Sequence, residues 1–391
     1  MTTSHASLLL GTISEDQHIY LDSLHKVMAK LATEKYLQKI DHEGLYPFEI
    51  YNAWIDLGLF RIGFPEEYGG IGGDLKDLLL ISQELAHWSY DIYSAYSVPL
   101  YTALTLLKIG TEEQKKKLLP ALMEGKIRLS TSISEPSAGS DVSAIKTIAK
   151  PVDGGWIING QKLWNTAAGV ADNVLQVLVR TDPDTPPRSG MSMFLIPNNT
   201  QGVECRKLEM LGRRGTGTYE VFFTDVFVPA ENMVGGLNKG WKGLLACLQT
   251  ERVLTSAGYV GSAQKVVDIS LAYAKERAQF GRAIGEFQAI SHMLADMQTE
   301  VDASRLLVER AASIIIGGKD AMREVSMAKL YGSETYAKVS NQGMQIFGAY
   351  GYSMEYEIQR HFRDSRSTTV GAGSSQMQRN TIASSMGLKA Q

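Results

Sequence analysis

Glu251 lies in the run Leu244-Leu245-Ala246-Cys247-Leu248-Gln249-Thr250-Glu251-Arg252, which has helical periodicity. Leu244, Leu248, Glu251 and Thr255 are spaced by four, three and four residues, so they share one face of that helix. A carboxylate on an apolar stripe costs free energy unless it is paired or put to use, and general-base chemistry is one such use. The commoner fate of a helix glutamate is exposure or pairing with an arginine. Trp164 offers an aromatic wall and Thr166, two residues on, a hydroxyl; the competing role for Trp164 is core packing. Ser134 and Ser140 lie in a small-residue loop, Ser134-Glu135-Pro136-Ser137-Ala138-Gly139-Ser140-Asp141, that can bring backbone N–H groups and hydroxyls to a ligand or can be a plain turn.

The elements that must position these residues fall into three zones. The chain of 391 residues is long enough for two or three domains around a large core. Residues 1–127 show three-to-four spacing of apolar residues in Asp22–Leu37, Pro47–Gly58, Leu75–Tyr90 and Glu112–Met123, which predicts helices. Pro65 to Gly73 is a glycine-rich loop without the spacing of a dinucleotide fingerprint. Residues 128–236 change period. Trp156–Gly160, Val174–Val179, Met191–Ile196 and Glu220–Phe223 are short apolar or β-branched runs bounded by turn residues, which predicts a small antiparallel barrel or sandwich. Residues 237–391 return to helix, with long segments over Trp241–Gln279, Phe287–Gly317 and Ala321–Phe347 that predict a four-helix bundle.

Composition narrows the function classes. With 44% hydrophobic and 21% charged residues and a net charge of −3, the chain reads as an ordinary soluble protein. It has no basic block of the kind that binds nucleic acid or an anionic membrane. Two distant cysteines, Cys205 and Cys247, fit a reducing compartment, and the seven histidines show no metal-ligand spacing. Leu8-Leu9-Leu10 is too short for a signal core, and no apolar run approaches bilayer-spanning length. These features predict a cytoplasmic protein with no metal and no membrane insertion.

The order of helical domain, β-domain and long-helix bundle, with the motifs in it, resembles the acyl-CoA dehydrogenase family over nearly the full length. Ser134 to Asp141 is similar to the family's T-E-P-x-A-G-S-D loop, and Asn159-Gly160-Gln161-Lys162-Leu163-Trp164-Asn165-Thr166 to its N-G-x-K-x-W-x-T segment. Arg277-Ala278-Gln279-Phe280-Gly281 with Phe287-Gln288 matches R-x-Q-F-G…x-Q. Gln345-Ile346-Phe347-Gly348-Ala349-Tyr350-Gly351 is similar to Q-x-x-G-G-x-G, with Ala349 in place of a glycine. The resemblance implies a mostly α fold with a central β domain and bound FAD. It implies that Thr131, Ser134, Ser140, Trp164, Thr166, Arg277, Phe280, Gln288, Gln345, Gly348, Ala349, Ser374 and Gln376 contact the cofactor. Of these, Arg277, Phe280, Gln288 and the Gln345 to Ala349 loop would reach the FAD of a neighbouring subunit, which implies a homo-oligomer, a dimer or tetramer.

One departure from the family pattern matters most. Many members carry the catalytic base near the C-terminus in a segment like Y-E-G-T-S-Q-I-Q-R. The corresponding run here is Val370-Gly371-Ala372-Gly373-Ser374-Ser375-Gln376-Met377-Gln378-Arg379, which puts Ala372 where that glutamate would stand. A minority, isovaleryl-CoA dehydrogenase among them, places the base on a bundle helix in an L-x-x-E-R motif. Leu248-Gln249-Thr250-Glu251-Arg252 matches it, so the loss at 372 and the gain at 251 explain each other.

The resemblance then implies α,β-dehydrogenation of an acyl thioester, with Glu251 as base. The substrate contacts it implies are Ser140, Arg252, Ala372 and Gly373, the N–H of Ala372 serving the thioester oxygen. Register from Gly110 places Tyr96, Ser97 and Tyr101 at the far end of the acyl pocket, which predicts a short, branched or functionalised acyl group. The thioester carrier is coenzyme A or a carrier protein, and the electron acceptor is an electron-transfer flavoprotein. A flavin oxidase or monooxygenase, an enoyl-thioester reductase and a non-catalytic flavin-binding member stand as alternatives.

Overall fold

A computed structural model describes residues 13–389; Leu8–Leu10 lie outside the described residues. The first part of the chain is helical: α1 Glu15–Leu31, α2 Glu34–Glu43, α3 Phe48–Asp56, α4 Leu75–Trp88, α5 Tyr90–Ile109 and α6 Glu112–Met123. Local chemistry sets several of their starts. Ser14 with Gln17, Asp74 with Asp77 and Thr111 with Gln114 form reciprocal capping boxes that satisfy the orphan N–H groups of a first turn. The glycine-rich loop is a tight bend. A Cβ on Gly70 would lie 2.0 Å from the Phe64 carbonyl oxygen, and Phe64 bridges to Gly72.

Strands follow: β1 Arg128–Ser132, β2 Ile148–Val152, β3 Gly155–Thr166, β4 Asn173–Arg180, β5 Met191–Pro197, β6 Val203–Lys207, β7 Thr218–Pro229 and β8 Met233–Val234. They form one sheet in the order β6-β7-β3-β2-β4-β5-β8, with β1 pairing to β4. The sequence pattern predicts an antiparallel domain. The sheet is instead mixed, because β1–β4 and β2–β4 run parallel. The four predicted strand runs lie within β3, β4, β5 and β7. The sheet has its own apolar core, with Ile158, Leu175, Val177, Phe194, Val221 and Val226 buried.

The last part is the bundle: α7 Gly240–Glu276, α8 Gln288–Ile316, α9 Met322–Phe347, α10 Ile358–Thr368 and α11 Ser375–Ser385. Between α7 and α8 lies a short hairpin, β9 Ala278–Gln279 and β10 Arg282–Ala283. The middle of α7 is buried nearly all round, from Arg252 to Gln264, since it packs against α4, α5, α8 and α9. One apolar core runs from Leu24 in α1 through Tyr96 in α5 to Val339 in α9, so the first helices and the bundle are joined on α7. Among the described residues, no helix is long and apolar enough to cross a membrane.

Candidate active site

The aromatic wall is made by a defect in a strand. The β3–β7 register shifts between Lys162 and Asn165, and Trp164 sits there in the left-handed region with φ 66°. Such a bulge re-aims a side chain. Lys162 and Asn165 point inward and are buried, while Trp164 keeps 56% of its surface exposed. An indole that open, on a backbone conformation that disfavours a bulky residue, is a surface prepared for a flat ligand. Thr166 lies two residues on, where its Oγ1 accepts a hydrogen bond from Arg213 Nη2 at 3.4 Å.

The loop carrying Ser134 and Ser140 is tied to this strand by a buried ion pair. Lys162 Nζ donates to Glu135 Oε1 at 2.9 Å and to the Ile133 carbonyl at 2.9 Å. Glu135 also accepts the backbone N–H groups of Lys146 at 2.6 Å and Thr147 at 2.9 Å. Burial pushes the Lys162 ammonium down to about 8, against the pull of Glu135. For Glu135, burial raises the carboxyl, but Lys162 and the N–H donors outweigh it and hold it below its ordinary range. The N–H of Leu163 donates to the Ser134 carbonyl at 2.8 Å, which sets Ser134 beside Trp164. Ser140 is exposed at the far end of the loop, and Thr131 Oγ1 lies 3.0 Å from Thr102 Oγ1 of α5. Sequence reading misses the Glu135–Lys162 pair. Its signal was available as two charges, one inside each ligand-binding motif.

Glu251 lies on α7, deep in the protein yet partly open. Its carboxylate has no hydrogen-bond or ion-pair partner among the described residues. Burial raises its pKa above the ordinary carboxylate value, and Arg252 pulls the other way. One turn on, Thr255 Oγ1 donates to the Glu251 carbonyl at 2.8 Å and lies 3.1 Å from Tyr101 Oη. Tyr101 Oη is 2.7 Å from Tyr93 Oη, which donates to the Leu254 carbonyl at 2.9 Å. Tyrosines of α5 thus join a hydroxyl chain that ends on the backbone carbonyl of Glu251. Ser97 is buried in the same helix. Tyr96, expected at the same pocket, lies in the helical core, its ring centroid 5.0 Å from that of Phe60 and 6.0 Å from that of Trp54.

Arg252 is buried, with Nη1 3.7 Å from Met322 Sδ and Nε without a partner among the described residues. Its guanidinium abuts the turn after α10: a Cβ on Gly373 would lie 3.0 Å from Arg252 Nη2. In that turn Ala372 and Gly373 are both left-handed, with φ 52° and 84°. The N–H of Ala372 donates to no acceptor among the described residues. Ser374 caps α11 by accepting from the Met377 N–H at 3.3 Å, and Gln376 is exposed in its first turn.

The remaining expected residues gather at the ends of the bundle helices. Arg277 ends α7 and lies 5.4 Å from the Tyr350 ring, next to the Gln345, Gly348 and Ala349 segment that ends α9. Phe280 is 95% exposed at the tip of the β9–β10 hairpin, and Gln288 starts α8, also exposed. Gln345 and Ala349 are exposed as well, and Arg277 is half-buried.

Three family models cover the chain: the acyl-CoA dehydrogenase N-terminal domain over residues 14–126, the middle domain over 130–226 and the C-terminal domain over 238–387. The chain belongs to the acyl-CoA dehydrogenase family. It is 36% identical to the caffeyl-CoA reductase-Etf complex subunit CarC of Acetobacterium woodii, across 93% of this chain and 98% of that protein. It is 35% identical to the short-chain specific acyl-CoA dehydrogenase of Megasphaera elsdenii, across 90% and 92%. The solved butyryl-CoA dehydrogenase of the same organism superposes with a TM-score of 0.91 at 32% identity, covering 97% of this chain and all of that one. The chain is therefore a flavoprotein oxidoreductase of this family with FAD as cofactor. The exposed Trp164 indole fits such a planar group.

Proposed function

We propose that this enzyme removes the α-proton and β-hydride of a short, branched or functionalised acyl thioester, with Glu251 as the base. The observation that carries this reading is a half-buried carboxylate with no hydrogen-bond or ion-pair partner among the described residues, on the helix whose Arg252 abuts the turn where the Ala372 N–H has no acceptor among them. Glu251 takes the α-proton, and its raised pKa makes it a stronger base than an exposed carboxylate. The Ala372 N–H supports the thioester oxygen as negative charge builds there. Trp164, Ser134, Ser140, Thr166, Thr131, Ser374 and Gln376 hold the cofactor, with Arg277, Phe280, Gln288, Gln345, Gly348 and Ala349 supplying the contacts from a second subunit. FAD, when bound, supplies the acceptor for the β-hydride.

The hydroxyl chain Tyr93–Tyr101–Thr255 beside Glu251 supports a short acyl group. Ser140, Arg252, Gly373 and Ser97 complete the substrate contacts, while Tyr96 acts through packing. The exposed Phe280 and its neighbours support a homo-oligomer. The division into 1–127, 128–236 and 237–391 assigns the cofactor wall to the second part and the base to the third.

A second reading has support of its own. The relative from Acetobacterium woodii is named as a reductase in an Etf complex, and a 34% identical relative from Clostridium sporogenes as a 3-(aryl)acrylate reductase. The same site run backwards, with Glu251 returning the α-proton, is an enoyl-thioester reductase, and electron-transfer flavoprotein is the partner in either direction. An anaerobic screen separates the readings. Acyl-CoA and acyl-carrier-protein thioesters are mixed with the yellow oxidised enzyme, and enoyl thioesters with the dithionite-reduced enzyme. Bleaching by a saturated thioester supports the dehydrogenase direction, and reoxidation only by enoyl thioesters supports the reductase. No response to either class refutes both.

A further inference from the structure

Lys329 of α9 is a buried cation in an unusual setting. Its side chain is fully enclosed, and no carboxylate pairs with it among the described residues. A buried ammonium without a carboxylate is costly unless its protons have fixed acceptors. Lys329 Nζ donates to the Thr368 carbonyl at 2.9 Å and to the Gly373 carbonyl at 2.8 Å. These two oxygens bracket the turn that carries Ala372.

The same turn is gripped from two other sides. Gln378 Nε2 of α11 donates to the Gly373 carbonyl at 2.9 Å and reaches the Ala372 carbonyl at 3.4 Å. Arg252 of α7 closes the third side, so that a Cβ on Gly373 would meet Gln378 Nε2 at 2.8 Å and Arg252 Nη2 at 3.0 Å. Two buried donors from two helices bond this turn of backbone, and the Arg252 guanidinium of a third packs against it. What they hold is a conformation the chain would not keep alone, because two successive left-handed residues, one of them alanine, are disfavoured. The product of that conformation is the unpartnered N–H of Ala372.

We propose that Lys329 is a positioning residue for the reaction, fixing the 368–373 turn so that the Ala372 N–H faces the thioester oxygen beside Glu251. The inference rests on the reading of Glu251 and Ala372 as the dehydrogenation site. Lys329 touches neither substrate nor cofactor and acts through the turn.

The test uses the full-length, FAD-loaded enzyme and Lys329→Met, which keeps the volume and removes the donors. FAD content and acyl-CoA binding, read from perturbation of the flavin spectrum, should stay within about threefold of wild type. The rate of anaerobic flavin reduction should fall by at least about tenfold, because a misaimed donor is lost chiefly in the transition state. Exchange of the substrate α-proton with D2O should slow in parallel. Backbone amides of 369–374 should exchange hydrogen at least about tenfold faster, with the rest of α9 unchanged. Gln378→Met keeps Lys329 but removes the second donor to the Gly373 carbonyl; it should give the same split of binding from rate, and it carries the test if Lys329→Met does not fold. Wild-type reduction rates in the variant, or unchanged amide protection at 369–374, overturn the proposal. If no acyl thioester reduces wild type, the dehydrogenase reading falls by itself, and the amide protection alone then decides whether Lys329 holds the turn.

Discussion

Replacing Lys162 by methionine tests how the cofactor loop is held. The side chain is fully buried, and Met fills its volume without its charge. The change strips Glu135 of its counter-ion and leaves the Ile133 carbonyl without a donor. Removing one member of a buried ion pair costs about 3–5 kcal/mol, because the charge left behind is uncompensated. Glu135 retains two backbone N–H bonds, from Lys146 and Thr147, which favours the lower end of that range. Even about 3 kcal/mol is a large share of the roughly 5–15 kcal/mol that holds a protein together. Because Ser134 and Ser140 ride on the same loop, FAD should be released early in the transition. The double variant Lys162→Met/Glu135→Gln should recover part of the loss, since no buried charge remains and the amide oxygen still accepts an N–H. Urea unfolding followed by tryptophan and flavin fluorescence measures all three proteins. A loss below about 1 kcal/mol in the single variant, typical of an exposed pair, would refute the reasoning, as would a double variant less stable than the single.

Glu251 carries a folded-state pKa above its unfolded value, so folding costs free energy wherever the folded carboxylate is charged, and that cost vanishes below the unfolded pKa. Glu251→Gln should therefore unfold at higher urea than wild type at pH 7, the gap closing toward about pH 4; equal midpoints at pH 7 would contradict the shift. Arg277→Ala should lose a charge-assisted contact worth about 1.5–3 kcal/mol, read as faster FAD loss on dilution together with weaker oligomerisation by ultracentrifugation. Unchanged FAD affinity would count against that role. In Glu251→Ala with Ala372→Glu, a carboxylate returns from the other side of the substrate, so flavin bleaching should recover in part, short of wild type by about 10²-fold for a misplaced base. A double variant no better than Glu251→Ala, though folded and yellow, would remove the support for two alternative seats.

The three-part organisation was readable because period changes with element type. The long helices of the bundle and the apolar strands β3, β4, β5 and β7 repeat their patterns clearly. β1, β2 and β6 are five residues each, and β2 and β6 turn mostly outward, so they carry no alternation to read. The parallel pairings of β4 are invisible in any window, because register between distant strands is a tertiary property. In the site, Glu251 was legible because a charge on an apolar stripe breaks a local rule. Ala372 was legible only against a motif. Lys162 and Lys329 were not legible as buried cations. Their partners lie 27 and more residues away, and a lysine by itself reads as surface. Family register placed both Tyr96 and Tyr101 at the acyl pocket; Tyr96 packs against Trp54 and Phe60 in the helical core, while Tyr101 stands next to Thr255.

The central claim is that Glu251 takes the α-proton. The most direct measurement is the rate of anaerobic flavin reduction in Glu251→Gln, with the thioester that reduces wild type fastest. Glutamine keeps the shape of the side chain and removes the basic oxygen. With Glu251 as the base, the variant keeps full FAD content and thioester binding and is reduced at a rate lower by at least about 10²-fold. A Glu251→Gln enzyme that holds FAD and is reduced at close to the wild-type rate would contradict it.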